Sequence, residues 1–259
     1  MNARLSDRIK MIPKHIQEEG VANFFTRQTV AALLTILAVL LTPLKKGTDR
    51  DPFYQLFGKF IASVNESPKP ELLEIGSRNV TGVVWRDAFH SSVSYTGLDI
   101  HQGDNVDVVG DVHALSSHLP TEHYDAVFSI SVFEHLAMPW KAVIEINKTL
   151  KPGGLLYVST HPAIPPHEMP WDFWRYSIET FKTLLNERTG FQIIESIEGT
   201  PGRIISLSRD RTTSKVHLAP INQSIAVLAR KTALPDPGLS WDIPITNILQ
   251  TDYPRHQTI

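Results

Sequence analysis

Asp99 stands at the end of one short apolar run, YTGLDI, and Gly76 at the end of the preceding one, LLEIGSRNVTG (Leu72 to Gly82). A carboxylate so placed can accept both hydroxyls of a ribose. Leu72, Leu73 and Ile75 read as a buried parallel strand, and Gly76 permits a tight turn from which backbone N–H groups face a ligand at the start of a helix. Together these residues describe a nucleoside site. Dinucleotide sites need a second glycine two residues on, so that a pyrophosphate can approach the backbone. Arg78 occupies that position. The loop therefore disfavours a nicotinamide dinucleotide and suits a nucleoside ligand without phosphates.

The elements that must hold these residues follow from the rhythm of the chain. SPKP (Ser67 to Pro70) marks a boundary, before which residues 1–68 read as helical segments and after which short apolar strands alternate with helical stretches. The strands are LLEIG, SYTGLDI, VDVVGD, YDAVFSI, GGLLYVSTH, FQIIESIEG and SIAVLARK; helices are expected over 80–89, 133–150 and 178–186. Such alternation predicts an α/β fold: a Rossmann-like, doubly wound, mostly parallel seven-stranded sheet with an N-terminal helical extension. FQIIESIEG and SIAVLARK have no helical pattern between them, so they are expected to close the sheet as an antiparallel pair. The expected division is 1–68 as a lid, dimer or membrane contact, 69–233 as the ligand-binding domain, and 234–259 as a proline-rich extension.

Composition bounds the partners. With 259 residues and 42% hydrophobic content, the chain can bury one full α/β core and keep segments for accessory regions. Its net charge of −2, with both signs mixed along the chain, gives no basic face for nucleic acid. It has no cysteine, which excludes disulfides and thiolate chemistry and fits a cytoplasmic setting. The uncharged run 28–44 (VAALLTILAVLLTPL at its centre) is 17 residues long, short of the roughly 20 that usually span a bilayer. It suits a buried or homodimer helix, and equally a peripheral membrane contact flanked by Arg27, Lys45 and Lys46.

Five segments in this order resemble class I S-adenosylmethionine-dependent methyltransferases: LEIGSRNVTG, YTGLDI, VVGDVHAL, YDAVFSISVFEHL and LKPGGLLYVSTH. The resemblance covers residues 71–231, and HPAIPPHEMPWDFWRYS further resembles a bacterial subgroup acting on glycans or other small molecules. It implies S-adenosyl-L-methionine as cofactor. Amides after Gly76, at Ser77 and Arg78, would then meet the methionine carboxylate, with Glu74 holding the amino group and the loop. Asp99 and Ile100 would meet the ribose, and Asp111 and Val112 the adenine, although Asp111 equally suits an N-cap for a helix starting near His113. Ser129, Ile130 and Ser131 would lie beneath the sulfonium, with His135 nearby. Arg78 departs from the family pattern, where glycine is common.

Methyl transfer to a hydroxyl benefits from a general base, and His161 and His167 follow the fifth strand, where the mouth of such a site lies. Among eleven histidines either can also be structural. His161, His167 and Glu168 show no compact ligand spacing on one helix, so no metal is expected. Trp171, Trp174, Arg175 and Tyr176 suit either a substrate wall or a staple that fixes the loop to the sheet. The expected activity is methyl transfer to a small molecule, most simply a saccharide or secondary-metabolite oxygen. The competing expectation is a noncatalytic adaptor of the same fold that works through the apolar N-terminal helix.

Overall fold

The computed structural model describes residues 29–30, 32–34, 36–37, 51–205, 215–216 and 219–239. The chain divides into two units, 1–48 with 204–219, and 49–203 with 220–259. In the first, Thr29, Val30, Ala32, Leu33, Leu34, Ile36 and Leu37 are helical, and the Ile204 N–H donates to the Ala219 carbonyl at 3.0 Å. Most of the apolar run 28–44 lies outside the described residues, as do the expected helical segment before it and the end of the C-terminal extension. Among the described residues no helix is long and apolar enough to cross a membrane.

The second unit is built on seven strands: β1 (Glu71–Ile75), β2 (Ser94–Asp99), β3 (Val108–Val109), β4 (Tyr124–Ile130), β5 (Leu150–Thr160), β6 (Phe191–Arg203) and β7 (Pro220–Lys231). Their order is β3-β2-β1-β4-β5-β7-β6, with β1 to β5 parallel and β7 antiparallel to both of its neighbours. This is the doubly wound sheet, with the antiparallel pair at its edge. Two-residue alternation sends Leu73, Ile75, Leu156, Val158, Ile225 and Val227 into one core, and Leu72, Phe128, Tyr157, Ala226 and Leu228 into the other.

Helix α1 (Pro52–Asn65) covers the second face. Pro52 sits at its first turn, and the Asp51 carboxylate caps it by accepting from the Phe53 N–H at 2.9 Å. Its stripe Leu56, Phe57, Phe60 and Val64 recurs at helical spacing and is buried. Phe57 and Phe60 meet Phe128 at ring distances of 5.7 and 5.9 Å, so a helix counted in sequence with the N-terminal extension is part of the sheet's packing. Each such buried ring contributes about 2–3 kcal/mol. On the opposite face lie α2 (Leu115–His118), α3 (Pro139–Thr149) and α4 (Ile178–Leu184), the last opened by a Ser177–Thr180 capping box.

Two helical expectations differ from what forms. Residues 80–89 give only a 3-10 turn, Trp85–Ala88. Val80, Val83 and Val84 are stiff at χ1, Gly82 takes φ +81°, and Val80 and Val83 are exposed, so no apolar stripe rewards a helix there. The stretch 133–150 splits into a 3-10 turn, Phe133–His135, and α3. Pro139 forces Met138 out of the helical region, to φ −129° and ψ 72°.

Candidate active site

The carboxyl ends of β1, β2, β4 and β5 form one crest, where ligands of open α/β sheets bind. Gly76 turns the chain there with φ +82°, and a Cβ on it would lie 2.2 Å from Val132 Cγ2. Only glycine fits. The amides that follow are tied down within the protein. Gly76 and Ser77 donate to the Leu98 carbonyl at 2.8 and 3.1 Å, Arg78 to Asp99 Oδ2 at 3.3 Å, and Asn79 to the Asp104 carbonyl at 3.0 Å. With no α-helix after the turn, the expected helix N-terminus facing a ligand is absent here; hydrogen bonds to the β2 end and the loop after it stiffen the turn instead.

Glu74 is buried beneath this turn, and its Oε2 accepts from the Tyr95 hydroxyl and from Asn105 Nδ2. Asn105 also donates to the Ser77 carbonyl at 2.8 Å, which links Glu74 to the loop. Burial pushes the Glu74 carboxyl up to about 7, against the hydrogen bonds from Tyr95 and Asn105 and the Arg86 charge, which favour the ionised form. Tyr95 and Asn105 carry no sequence signal for this role.

Asp99 lies at the crest with its side chain 12% exposed; Oδ1 accepts from the His101 N–H at 2.9 Å and faces Arg78 Nε at 3.4 Å. Arg78 thus reaches the acid rather than solvent, its stem packed so closely on Gly103 that a Cβ there would lie 2.9 Å from Arg78 Cγ and Cδ. Ile100 adjoins Asp99 and is half-buried. Asp111 caps the 3-10 turn Val112–Ala114, accepting at Oδ1 from the His113 N–H at 2.9 Å and facing His113 Nδ1 at 2.7 Å. Burial alone would raise the Asp111 carboxyl, and the His113 contacts outweigh it and lower it. The capping alternative is realised, while Val112 is buried beside it.

At the β4 and β5 ends, Ser129 Oγ donates to the Ile75 carbonyl at 3.2 Å, followed by half-buried Ile130 and by Ser131 at φ +55°. Ser131 Oγ lies 3.0 Å from His161 Nε2, and His161 Nδ1 lies 3.0 Å from the Gln223 carbonyl. A carbonyl only accepts, so Nδ1 carries the proton and Nε2 the lone pair of a neutral ring. Glu134 Oε1 is 3.6 Å from the same Nε2, and Glu134 Oε2 accepts from Thr160 Oγ1 at 2.6 Å.

The segment 161–176 folds back over this end. His135 Nδ1 meets the Trp171 carbonyl at 2.7 Å, and its Nε2 faces Glu168 Oε2 at 3.8 Å. Burial raises the Glu168 carboxyl against the charges of His135, His167 and Arg78. His135 and His167 pack edge to face, and one ligating atom each from Glu134, His135 and His167 lies within 4.8 Å of the others. Spacing in sequence gave no reason to expect a metal-like cluster, because the loop, not a helix, brings His167 to Glu134 and His135.

The aromatic run serves mainly as the staple. Tyr176 is buried and donates to the Phe133 carbonyl at 2.9 Å, while Arg175 grips Asp172 through two bonds of 2.6 and 2.7 Å and leans on the Ile164, Pro165 and Trp174 carbonyls. Arg175 and Tyr176 hold the loop, as the staple alternative expects. Trp171 is buried and Trp174, 38% exposed, ties its Nε1 to the Leu136 carbonyl at 2.8 Å. Two surface concavities, of about 470 and 390 Å³, lie instead near Phe191, Lys182, Leu184 and Arg188, by the opposite ends of the parallel strands.

Residues 72–158, which carry the turn, the β2 acid and β4, match the family profile described as a methyltransferase domain. Over these residues, about a third of the chain, the protein resembles a methyltransferase domain. Solved structures share the fold. A candidate methyltransferase from Bacillus halodurans C-125 superimposes with TM-score 0.52 at 16% identity, covering 72% of this chain and 100% of that one. The YcgJ protein from Bacillus subtilis gives 0.50 at 15%, covering 70% and 99%, and a SAM dependent methyltransferase from Archaeoglobus fulgidus gives 0.50 at 17%, covering 69% and 93%. The sequence matches no curated protein.

Two features of the crest fit S-adenosylmethionine: Arg78 Nε is buried without a hydrogen-bond partner, and Asp99 ends β2 with its side chain 12% exposed.

Proposed function

We propose that this protein is an S-adenosylmethionine-dependent methyltransferase that methylates an oxygen of a small hydroxyl-bearing acceptor, a saccharide or secondary metabolite, with His161 as general base. The observation that carries the reading is the imidazole of His161. Its Nδ1–H is held by the Gln223 carbonyl at 3.0 Å, so its lone pair at Nε2 is aimed at the ends of β4 and β5, beside Ser131 Oγ. A base oriented in this way accepts a proton from a hydroxyl without first breaking a tautomer-fixing bond.

Arg78 and Asp99 would hold the cofactor, through its carboxylate and its ribose, and Glu74 acts as a positioning residue through Asn105 and the Ser77 carbonyl. When bound, S-adenosylmethionine supplies an electrophilic methyl group. The chain's own part is alignment and exclusion of water. The Ser131 hydroxyl donates to His161 Nε2 until an acceptor hydroxyl replaces it, and the buried Glu134 carboxylate beside the ring stabilises the imidazolium that results. The segment 161–176, fixed by Arg175 and Tyr176, shields this end from solvent.

His161→Gln tests the reading against a panel of sugar and phenolic acceptors. Turnover should fall about 10²- to 10⁴-fold while the affinity for S-adenosylhomocysteine, read by calorimetry, stays within a few-fold. Undiminished turnover on the true acceptor would remove His161 from the chemistry.

A further inference from the structure

We propose that Glu134, His135 and His167 bind a divalent transition-metal ion. The ligating atoms of the first three lie within 4.8 Å of one another. Glu134 is fully buried, and Thr160 takes its Oε2 at 2.6 Å, yet Oε1 is enclosed without a hydrogen-bond partner. Glu168 Oε2, 3.8 Å from His135 Nε2, is enclosed in the same condition. A carboxylate oxygen left unsatisfied inside a protein is costly, and a cation held by Glu134 Oε1 and two imidazoles removes that cost at Glu134.

The imidazoles are presented for such a role. His135 Nδ1 meets the Trp171 carbonyl at 2.7 Å and His167 Nδ1 the Pro165 carbonyl at 3.1 Å. Each carbonyl fixes the proton on Nδ1 and leaves the lone pair on Nε2, the arrangement that orients metal-bound histidines. Thr160 does the same for the Glu134 carboxylate. Two imidazoles with a carboxylate favour zinc, manganese, iron(II) or cobalt over calcium or magnesium. Zinc bonds of about 2.0–2.2 Å place tetrahedral ligands roughly 3.4 Å apart, so the side chains must draw in by about 1 Å. His167, on a loop and a quarter exposed, is the member able to move.

Metal binding is read apart from turnover, so failure here leaves methyl transfer standing and the reverse. Untagged full-length protein, stripped with a chelator, is dialysed against micromolar zinc and, separately, cobalt(II), and bound metal is quantified by mass spectrometry. We expect one equivalent retained and a visible cobalt absorption band. His167→Ala should weaken binding at least tenfold and change the band; its side-chain bonds are local, so its fold is secure, and Glu134→Gln should do the same if it folds. No retained metal overturns the proposal. So does wild-type binding in His167→Ala, which would mean an adventitious ion only, held by other histidines.

Discussion

Glu74→Gln isolates the cost of keeping a carboxylate under the glycine turn. Burial raises this group from 4.5 to about 7. Below pH 4.5 the folded and unfolded chains both hold the proton; between 4.5 and 7 the unfolded chain releases it and the folded chain does not. Stability therefore falls as pH rises across that window, and above about 7 the penalty is constant. At about 1.4 kcal/mol per pKa unit, and allowing for partial ionisation at the ends, this one group removes about 2.5 kcal/mol between pH 5 and pH 8. Glutamine keeps an oxygen to accept from Tyr95 and Asn105 but carries no charge, so the variant lacks this slope. Urea unfolding followed by tryptophan fluorescence at pH 5, 6, 7 and 8 gives the difference between wild type and variant, in which every other titrating group cancels. The variant should gain about 2.5 kcal/mol on wild type from pH 5 to pH 8, with unchanged m-values. A difference constant to within about 0.5 kcal/mol would show that Glu74 is already ionised at pH 5 and that its surroundings are wet, which would refute the reasoning.

Three further substitutions probe what holds the crest. Gly76→Ala places a Cβ 2.2 Å from Val132 Cγ2 at φ +82° and should cost about 2 kcal/mol or more, lowering Tm by about 4–8 °C in differential scanning calorimetry. Asp172→Asn removes the charge and one of the two bonds to Arg175 and should cost about 2 kcal/mol, appearing as faster limited proteolysis within 161–176. The Arg175 hydrogen bonds hold the Asp172 carboxyl down at about 2, so the pair is intact above about pH 4 and weakens only as pH falls toward 2. Phe128→Ala removes a fully buried ring shared by Phe57, Phe60 and Phe89 and should cost about 3–5 kcal/mol in chemical denaturation.

What could be read from the chain before folding is what depends on neighbours in sequence. Alternation along YDAVFSI and GGLLYVSTH announces strands because it is the pleat itself, and the glycine ending LLEIG announces a turn because nothing larger fits against Val132. Residues 80–89 misled for the complementary reason: they have helix-like length but β-branched residues and no face that packs. Asp99 was visible as an acid at a strand end, whereas its pairing with Arg78 depends on how the loop closes, and a lone arginine gives no signal of that.

The same distinction separates His161 from the chemistry it is suited to perform. Its place after β5 follows from counting strands, but its competence as a base follows from the Gln223 carbonyl, which reaches it only because β7 runs antiparallel beside β5. Likewise Glu134 and His135 are adjacent in sequence and unremarkable until the segment anchored by Asp172 and Arg175 carries His167 and Glu168 back across them. The residues that hold that segment, Arg175 and Tyr176, suit a substrate wall or a staple by type, and only their partners show the staple bonds. In this crest the reactive groups sit on strand ends, while their protonation states and companions are set by a loop and an antiparallel strand. A substitution that loosens the loop at Asp172 should therefore impair the His167 environment as much as a substitution of His167 itself.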